Sequence, residues 1–595
     1  MNSSESIVSD LSCFALAGII LAGLVALAVN LHEVQVNDSA DYAYANTRQS
    51  VRRVQTAGFR GRLLARDGTP LADSRRTFAI ACDASAFQRR TWTQTEAAVS
   101  AAIVRVTQVI GRPSSVTGAA IARHVKQRLA RPLLVWRDLD DAELARFSEH
   151  GETCRGFACI ETETRHYPFG TLAAHVLGYV GRDEVDGDPG DERINFRDNE
   201  LRGRSGIENF YDIFLRGVSG EDNVLVDARG FAIRSWTVRR AQRGPDLPLT
   251  LDIALQQEAE SAIAGEKGAC VVLDPRNGEI LAFASAPTYD LNRCVPVLPA
   301  AYYKSLVEDP AKPLLNRASG GTYAPGSTFK PITALAGLSA GLSDTKCYEC
   351  CGVFCYGTMH LHCSRTWGHG DIDLRHALMK SCNPFFCDYG VRTGTNELFA
   401  AARAFGLGSR TGIDLSVDSP GAVPDATWKA RVYNLPWYPG DLAQAAIGQG
   451  MLLVTPLQMA CVAGAIATGR LVTPHFNRNA PVTTRPLPFA VRHLNAVREG
   501  MALVISGDNG ETGTGWRGAE GVPVTVAGKT GTAEVGAGER RRKNTWFIAY
   551  APVEAPRVAV AMVIENGQSG GSTTAPRVAA VLRRAFAGGR GEFTQ

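Results

Sequence analysis

The stretch YAPGSTFK at residues 323–330 places a serine one helical turn before a lysine, directly after a Pro-Gly pair. Pro and Gly in this order favour a sharp start to a helix, with Ser327 in its first turn. The (i, i+3) spacing then puts Ser327 and Lys330 on the same face of that helix. A serine hydroxyl is a weak nucleophile at neutral pH and needs a base, and a lysine can serve when burial or nearby cations lower its pKa. The stretch therefore predicts an activated serine.

Two shorter motifs follow along the chain and complete a set. The segment SCN at residues 381–383 offers a serine and an amide two residues apart, and Pro384 after it favours a loop between helices. The segment KTGT at residues 529–532 follows an alternating stretch that predicts an edge strand. S-x-x-K alone occurs by chance in many long chains, where a surface helix is the simpler interpretation. All three motifs in this order form the active-site signature of serine enzymes that penicillin acylates.

The first two motifs suggest roles in acyl transfer. Ser327 is the predicted nucleophile and Lys330 its base, and N–H groups at the helix start lie near a developing oxyanion. Ser381 can relay a proton between the lysines and the leaving amine. Asn383 can donate a hydrogen bond to a substrate amide and accept one from it.

The KTGT segment provides the predicted binding edge. Gly531 allows close approach of another backbone, so that a peptide substrate can add itself as a further strand. Lys529 supplies positive potential, and Thr530 and Thr532 can bind a terminal carboxylate. The N–H group of Thr532 would complete the oxyanion hole with that of Ser327.

Length and composition limit the remaining possibilities. A chain of 595 residues is too long for one core, so two or more domains are expected. The net charge of +4 is small for this length and argues against a nucleic-acid partner. No P-loop and no convincing dinucleotide fingerprint occur in the sequence.

The N-terminal region predicts a membrane anchor at residues 11–31, which are almost wholly apolar and long enough to span a bilayer. A cleaved signal peptide is the alternative, because ALA at residues 26–28 resembles a cleavage site. The length of the apolar run, and the lack of Lys or Arg before it, favour an uncleaved anchor. Residues 1–10 carry no basic residue, so the positive-inside rule does not decide the orientation. The chemistry of the motifs places the C-terminal part outside the cytoplasm.

Periodicity and turn signals predict an α+β domain in the C-terminal half. Five antiparallel strands are expected, at residues 269–274, 279–285, 524–533, 544–551 and 557–565. Upstream, the pattern predicts a helical stem at 38–57, a hairpin with an Asp-Gly turn at 60–72 and a domain boundary at 241–249.

Some conspicuous side chains outside the motifs have simple interpretations. His175 could be mistaken for a catalytic base, but its surroundings favour packing or capping. Trp428, Trp437 and Tyr438 could line a substrate groove, although core packing is the simpler interpretation.

With these residues the chain resembles the class B penicillin-binding proteins, membrane-anchored D,D-transpeptidases that cross-link peptidoglycan stem peptides. The resemblance extends beyond the active site. The matching segments, numbered in this chain, are RGRLLARDGTPLA at 60–72, RHYP at 165–168, AAHVLGY at 173–179, GRSGIE at 203–208, NRA at 316–318, GQG at 448–450 and TPLQ at 455–458. Ala65 and Asp67 depart from the usual residues of the first segment.

The resemblance implies a fold and a domain order. A transmembrane helix precedes an elongated mixed α/β pedestal and a β-lactamase-like transpeptidase domain, in which helices flank a five-stranded antiparallel sheet. The expected boundaries are a cytoplasmic tail at 1–10, an anchor at 11–31, a pedestal or dimerisation-type domain at 38–245 and a transpeptidase domain at 246–590. The protein would cross the inner membrane once, with its catalytic domain in the periplasm.

The resemblance also implies a reaction and partners. A D-Ala-D-Ala donor would acylate Ser327 and release D-Ala, and an amine of a neighbouring stem peptide would then attack; β-lactams would acylate the same serine. The N-terminal half carries pedestal motifs, so a partner must polymerise the glycan. The implied partners are a glycosyltransferase of the SEDS family from the elongation machinery and a scaffold protein at the pedestal.

A dense run of cysteines extends from Cys347 to Cys363, and WGHG follows at residues 367–370. Thiolates with an imidazole are typical zinc ligands, and structural sites take four. The WGHG segment resembles the elongation-type branch of the family, the penicillin-binding protein 2 group, some members of which bind zinc beside the active site. By position, Cys363, His369 and Cys382 match ligands there, and the first ligand would be Cys350 or Cys351.

Disulfides are the alternative use of these cysteines, because the periplasm is oxidising. Cys347 with Cys355, and Cys154 with Cys159, are possible pairs, and the sequence does not assign connectivity.

Other functions compete with cross-linking. A D,D-carboxypeptidase or a β-lactamase passes the acyl group to water and needs a deacylating base, for which no motif is evident. A non-catalytic β-lactam sensor would not need a complete motif set together with a pedestal of this type. Within the family, a division-type transpeptidase is the alternative to the elongation type.

Overall fold

The structure is a computed structural model of the 595-residue chain. It describes residues 4–39, 50–114, 116–126, 132–182, 196–197, 201–227, 231–536 and 542–587. The chain begins with the helix Ser4–His32, which a π-helical turn, Glu33–Asn37, extends. Within it, Ser12–Asn37 has a mean hydropathy of 2.5 and is long and apolar enough to cross a membrane. The helix lies where the sequence predicts an anchor.

The predicted helical stem at 38–57 is wrong for its last part. Val51–Thr56 is a strand that pairs antiparallel with Gly220–Val226, and residues 40–49 lie outside the described residues. Val54 of this strand packs against Val224 and Val226. The β-branched valines of VRRVQT favour a strand once a partner covers them, and this tertiary contact outweighs the local helical pattern.

The pedestal contains two larger sheets and a helical layer. The first sheet has the order Ala232–Arg239, Gly220–Val226, Val51–Thr56, Phe196–Arg197. The second has the order Leu247–Pro248, Leu63–Leu64, Pro70–Cys82, Leu133–Trp136, and Phe157–His166 also pairs with Pro70–Cys82. The pairing of Leu63 with Ala72 confirms the hairpin predicted at 60–72. The helices Trp92–Ile110, Gly118–Lys126 and Asp141–Glu149 lie beside the second sheet, and apolar residues of all three share a core with it.

Short elements join the pedestal to the catalytic domain. They are the helices Ala174–Leu177, Gly206–Phe210 and Asp212–Leu215 and the paired strands Val180–Arg182 and Leu201–Gly203. The Nε atoms of Arg60 and Arg165 each donate to a different carboxylate oxygen of Glu208, at 2.5 and 2.7 Å. Arg60 also pairs with Asp212 at 2.8 Å. The side chains of both arginines and Glu208 are at most 2% exposed, so this ionic cluster fixes the hairpin against the short helices from inside the fold.

The catalytic domain contains the predicted five-stranded antiparallel sheet. Its order is Ile280–Ala286, Gly268–Leu273, Val558–Ile564, Arg542–Ala551, Ala527–Val535, which places the KTGT segment on an edge strand. The helices Ile253–Ala262 and Ala575–Ala585 pack on one face. The helices Lys330–Ser339 and Pro456–Thr468, both buried along nearly their whole length, belong to the core on the other face.

Further helices and small sheets surround this core. The helices are Ala300–Glu308, Leu374–Met379, Asn383–Thr393, Thr395–Ala404, Ala426–Tyr433, Pro439–Ala446 and Val491–Ser506. The paired strands are Tyr348–Cys350 with Gly370–Ile372, Val353–Tyr356 with Met359–His362, and Arg470–Val472 with Thr484–Pro486.

Polar contacts join the two halves of the chain. The Arg66 guanidinium pairs with Glu279 at 2.6 Å, and the Tyr211 hydroxyl donates to Asp414 at 2.8 Å. His175 is buried here, with its Nε2 atom 2.7 Å from the Pro313 carbonyl oxygen and its ring against the edge of Tyr289. Burial lowers the pKa of His175 to about 4. His175 therefore packs between the halves and takes no part in the catalytic cluster, as predicted.

Candidate active site

The predicted nucleophile lies in a turn that two other segments hold in place. Ser327 is half-buried in the short 3₁₀ helix Gly326–Phe329, and the α-helix begins at Lys330. Gly326 has a φ of +54°, and a Cβ there would lie 2.8 Å from the Thr532 carbonyl oxygen. The N–H group of Gly326 donates to the Gly448 carbonyl oxygen at 2.8 Å. The nucleophile turn therefore lies between the KTGT strand and the GQG segment, where only glycine fits.

Lys330 joins the first motif to the second. Its Nζ atom is 2.7 Å from the Asn383 Oδ1 atom, 2.7 Å from the Ser381 carbonyl oxygen and 3.3 Å from Ser381 Oγ. The side chain is fully buried, and this burial lowers the pKa of Lys330 to about 8, while nearby thiols act in the opposite direction. About a tenth of the Lys330 amine is therefore neutral at pH 7, a few hundredfold more than in an exposed lysine, and this neutral form is the one that can act as a general base.

Lys529 joins the third motif to the same serine. Its Nζ atom donates to Ser381 Oγ at 2.9 Å and to the Thr530 carbonyl oxygen at 3.0 Å. Burial, and then the positive charge of Lys330, lower the pKa of Lys529 well below its usual value. Two amines therefore donate into the oxygen of Ser381, which leaves its hydroxyl proton free to point into the cleft.

Ser381 occupies a backbone conformation that is uncommon for serine. It lies between the helices Leu374–Met379 and Asn383–Thr393, as Pro384 predicts, and its φ is +55°. Non-glycine residues with positive φ cost roughly 1–3 kcal/mol and cluster at functional sites. The hydrogen bonds from Lys330 and Lys529 hold this residue where both amines reach it.

Gly531 lies close to another backbone, as predicted, and within the protein that backbone belongs to the segment around Ser327. A Cβ at this position would lie 2.8 Å from Thr328 Cγ2 and 2.9 Å from the Pro325 carbonyl oxygen. The backbone that approaches Gly531 is therefore that of the nucleophile turn. Its lack of a side chain brings the KTGT strand and Ser327 together, as close packing at a strand glycine allows.

The two threonines of the KTGT segment differ in their hydroxyl protons. The Thr530 hydroxyl donates to Thr514 Oγ1 at 3.1 Å, and Thr514 donates to the Met379 carbonyl oxygen at 3.1 Å. The Thr532 hydroxyl instead accepts from the Gly570 N–H group at 3.3 Å. The Thr532 hydroxyl can therefore donate a hydrogen bond to a substrate carboxylate. The Thr530 hydroxyl could do so only after its hydrogen bond to Thr514 breaks.

The backbone of Thr532 faces the cleft. The Gln449 amide donates to the Thr532 carbonyl oxygen at 3.4 Å, from the open edge of the sheet. In an antiparallel strand the N–H and C=O groups of one residue point to the same side. The Thr532 N–H group therefore also points to the open edge, as the predicted oxyanion hole requires.

Four of the five predicted metal ligands converge beside this cluster. The ligand atoms of Cys350, Cys363, His369 and Cys382 lie within 4.8 Å of one another. His369 Nδ1 is 3.7 Å from Cys350 Sγ and 3.4 Å from Cys363 Sγ. Hydrogen bonds from Cys382 and His369 lower the pKa of the Cys363 thiol. Three thiols and one imidazole at this spacing fit tetrahedral zinc, in which sulfur ligands lie about 3.8 Å apart.

Cys351 does not belong to this group, which corrects one of the predicted ligands. It is exposed, whereas Cys350, the last residue of the strand Tyr348–Cys350, is buried. Successive side chains of an extended chain point in opposite directions, so only one of the two neighbours can face the cluster. All 14 cysteines lie in the described part of the chain and are unpaired, so the disulfides considered above are not formed in this structure.

The cysteine cluster is tied to the second motif. Cys382 lies between Ser381 and Asn383 and is buried. The Asn383 amide also donates to the His362 carbonyl oxygen at 2.9 Å, one residue before Cys363. The loops that carry the cluster therefore help to orient Asn383.

Ion pairs of His376 and Lys380, in the segment just before Ser381, could not have been predicted from the sequence. His376 lies 2.7 Å from Asp373 and 2.9 Å from Asp508, and Lys380 pairs with Glu511 at 2.5 Å. Hydrogen bonds to Asp508 and Asp373 raise the pKa of His376. These bridges, with the bond between Thr514 and Met379, tie the segment before Ser381 to residues 508–514.

The family comparisons cover both halves of the chain. Residues 268–583 match the family model of the penicillin binding protein transpeptidase domain, and residues 55–249 match that of the penicillin-binding protein dimerisation domain. The peptidoglycan D,D-transpeptidase MrdA of Acinetobacter baumannii is 31% identical over 591 residues, which cover 94% of this chain and 85% of the relative. MrdA of Escherichia coli strain K12 is 30% identical over 619 residues, which cover 98% of this chain and 93% of the relative.

Solved structures are similar over nearly the whole chain. In the complex between penicillin-binding protein 2 and MreC from Helicobacter pylori, the matching chain is 27% identical with a TM-score of 0.79, and 90% of this chain and 99% of that chain are covered. Another match is a chain in a structure of a peptidoglycan synthase complex that coordinates polymerization and crosslinking. It is also 27% identical, with a TM-score of 0.72, and the match covers 98% of this chain and 99% of that chain.

Proposed function

This chain belongs to the class B penicillin-binding proteins, and we propose that it cross-links peptidoglycan stem peptides during cell-wall elongation through an acyl-enzyme on Ser327. It is a serine-type peptidoglycan D,D-transpeptidase. One observation carries the assignment of the site residues. Lys330 and Lys529, from two of the motifs, both lie within hydrogen-bond distance of Ser381 from the third.

The geometry supports the following acylation step. Neutral Lys330 removes the proton of Ser327, whose Oγ atom attacks the carbonyl carbon between the two D-Ala residues of the donor. The N–H groups of Ser327 and Thr532 stabilise the oxyanion. As the C–N bond breaks, the Ser381 hydroxyl protonates the leaving amine of D-Ala, and Lys330 returns a proton to Ser381. A neighbouring stem amine then attacks the ester carbon and the bond to Ser327 Oγ breaks, while neutral Lys330 takes a proton from the amine and passes it to Ser327 Oγ, which regenerates the serine.

Mass spectrometry of the penicillin-treated protein tests this assignment. We expect one covalent adduct on the wild-type chain and none on Ser327→Ala, with Ser343→Ala, on an exposed loop, as the control that keeps the adduct. An adduct that persists in Ser327→Ala would overturn the assignment. A long-lived adduct agrees with a transpeptidase, whereas rapid hydrolysis would favour a carboxypeptidase or β-lactamase.

We propose further that Cys350, Cys363, His369 and Cys382 hold a structural zinc ion. The donor set and spacing support it, and when bound the ion would fix Cys382 and thereby the residues on either side of it. Elemental analysis should find about one zinc per chain in the wild type and in Cys351→Ala, and a large loss in His369→Ala. Full zinc content in His369→Ala, or no zinc in the wild type, would contradict the proposal.

The membrane placement and the partners are also proposals. The helix that contains Ser12–Asn37 would anchor the chain, with the catalytic domain in the periplasm, where peptidoglycan lies. A SEDS-family glycosyltransferase would supply the glycan and a scaffold protein would bind the pedestal; similarity to a chain in the MreC complex and to one in the peptidoglycan synthase complex supports both. Co-purification of the full chain with the elongation-type glycosyltransferase tests this, and binding to the division-type enzyme instead would favour the division role.

A further inference from the structure

The hairpin formed by the strands Val353–Tyr356 and Met359–His362 has two unlike faces. On the inner face, Phe354 belongs to the main core, and Leu361, its partner across the hairpin, packs against that core. Cys363, two residues after Leu361, is also buried and lies in the cluster of three thiols and an imidazole described above. The outer face of the hairpin is exposed to solvent and takes no part in the steps above.

This outer face carries three side chains of types that bind metals. Cys355 lies directly opposite His360, and its Sγ atom is 3.2 Å from the His360 Nδ1 atom. Side chains two residues apart on a strand point to the same side, so His362 shares this face with His360. All three residues are exposed. A thiol and two imidazoles are typical ligands of zinc.

The spacing of these groups suits a shared ion. Zinc lies about 2.3 Å from sulfur and about 2.0 Å from nitrogen, so a thiolate and an imidazole on tetrahedral zinc are about 3.5 Å apart. The distance of 3.2 Å between Cys355 and His360 is close to this value. His362 is the diagonal neighbour of Cys355, and such neighbours, about 7–8 Å apart, lie within reach of long side chains. Exposed side chains change rotamer within nanoseconds, so the His362 ring can turn toward the other two groups.

The hairpin holds its two strands in this register. Tyr356 pairs with Met359, so the turn contains only two residues, and the first of them, Gly357, has the positive φ (+60°) that tight hairpin turns require. The His362 carbonyl oxygen accepts from the Asn383 amide at 2.9 Å, which ties the second strand to the helix behind it. The three ligand residues therefore lie on a fixed hairpin, and an ion would not have to order a loop in order to bind.

We propose that Cys355, His360 and His362 form a second zinc site on the outer face of this hairpin, separate from the buried group that contains His369. On binding, the Cys355 thiol releases its proton to solvent, and zinc replaces the hydrogen bond between the Sγ and Nδ1 atoms. Three protein ligands leave the fourth tetrahedral position to water, so this ion exchanges with free zinc in the medium. The site is independent of the proposed function, because no step of acyl transfer involves it.

Zinc binding by the full chain in detergent tests this site. The reduced protein is dialysed against a series of micromolar ZnCl₂ concentrations, and bound zinc is measured by elemental analysis. The wild type should take up one zinc per chain that Cys355→Ser, His360→Asn and His362→Gln do not bind, or bind with a Kd raised at least about tenfold. Cys347→Ser, which changes another exposed cysteine, is the matched control and should bind as the wild type does.

Two further measurements separate this zinc from that of the buried group. His369→Ala changes the buried group and should keep the exchangeable zinc. Co²⁺ should give the wild type a thiolate-to-cobalt charge-transfer band that is weaker in Cys355→Ser and unchanged in Cys347→Ser. Equal zinc uptake by the wild type and Cys355→Ser, undiminished uptake by His362→Gln, or uptake only at millimolar zinc would overturn the proposal.

Benzylpenicillin shows whether the variants are folded. Its rate of acylation should be the same in the wild type, Cys355→Ser and His360→Asn, because both substitutions leave the bond between Asn383 and the His362 carbonyl in place. Normal acylation together with equal zinc uptake would refute only the hairpin site. Failure of penicillin to acylate the wild type would refute the proposed function, and the zinc comparison would still decide the hairpin site. If one variant fails to fold, the other decides.

Discussion

At the scale of single residues, the buried amine of Lys330 determines how acylation depends on pH. Burial lowers its pKa to about 8, against about 10.4 for an exposed lysine. Only the neutral amine can accept the Ser327 proton, so the rate of acylation by penicillin should rise about tenfold per pH unit below pH 7.5 and level off above pH 8.5. Stopped-flow measurement between pH 5.5 and 10 checks this. A flat profile, or one that still rises steeply at pH 10, would exclude Lys330 as the base.

The two threonines of the KTGT segment should differ when substituted. Thr532 has a free hydroxyl proton, whereas the Thr530 proton is bonded to Thr514. Thr532→Val should therefore reduce kcat/KM for acylation by about 10–100-fold, the cost of a lost hydrogen bond to a charged group. Thr530→Val should cost less, and neither change should matter for a β-lactam whose carboxylate is esterified. A larger loss in Thr530→Val would reverse the assignment.

Sequence spacing predicted the residues of the motifs but not those that support them. Lys330, Ser381 and Lys529 meet as expected because each motif fixes its own local geometry. Thr514 and Gly570 were missed, since their contacts with the KTGT strand come from distant segments of ordinary composition. The choice between Cys350 and Cys351 likewise needed the direction of one strand.

At the scale of elements, His376 links the helix before Ser381 to residues 508–514. Its pKa is raised above the usual 6.5, first by the hydrogen bond to Asp508. The stabilisation is therefore complete below about pH 6.5 and is lost as the pH rises through the raised value. His376→Gln should lower Tm by about 1 °C at pH 6, since the groups are partly exposed, and by less at pH 9. The exposed His150→Gln is the control. An equal loss at both pH values would contradict this role.

The prediction of secondary structure was wrong where a distant segment of the chain determines the local conformation. The five strands of the catalytic sheet were predicted correctly. Four of them carry their own run of buried apolar residues, and Ala527–Val535 was predicted from an alternating stretch and the KTGT segment. Residues 51–56 form a strand only because Gly220–Val226, nearly 170 positions later, offers an edge and a small apolar cluster. A local pattern cannot contain that information.

At the scale of the whole molecule, the pedestal and the catalytic domain share one apolar core. Leu63, Tyr167 and Ile207 of the pedestal belong to the same buried cluster as Leu291 and Phe329 of the catalytic domain. Contacts of this kind couple the unfolding of two domains, because unfolding of one domain exposes apolar surface of the other to water. We therefore expect the two to unfold together.

Substitution of Glu208 tests this joint unfolding. Glu208→Ala leaves Arg60 and Arg165 buried without their shared carboxylate, which typically costs about 3–5 kcal/mol and should lower Tm by about 3–4 °C if the whole chain unfolds as one unit. Glu161→Ala, which removes an exposed partner of Arg76, is the matched control and should have little effect. In urea, loss of penicillin acylation should coincide with loss of the circular dichroism signal in Glu208→Ala as in the wild type. Acylation that survives after the pedestal has unfolded would mean that the catalytic domain is stable alone, and the shared core would then not couple the two.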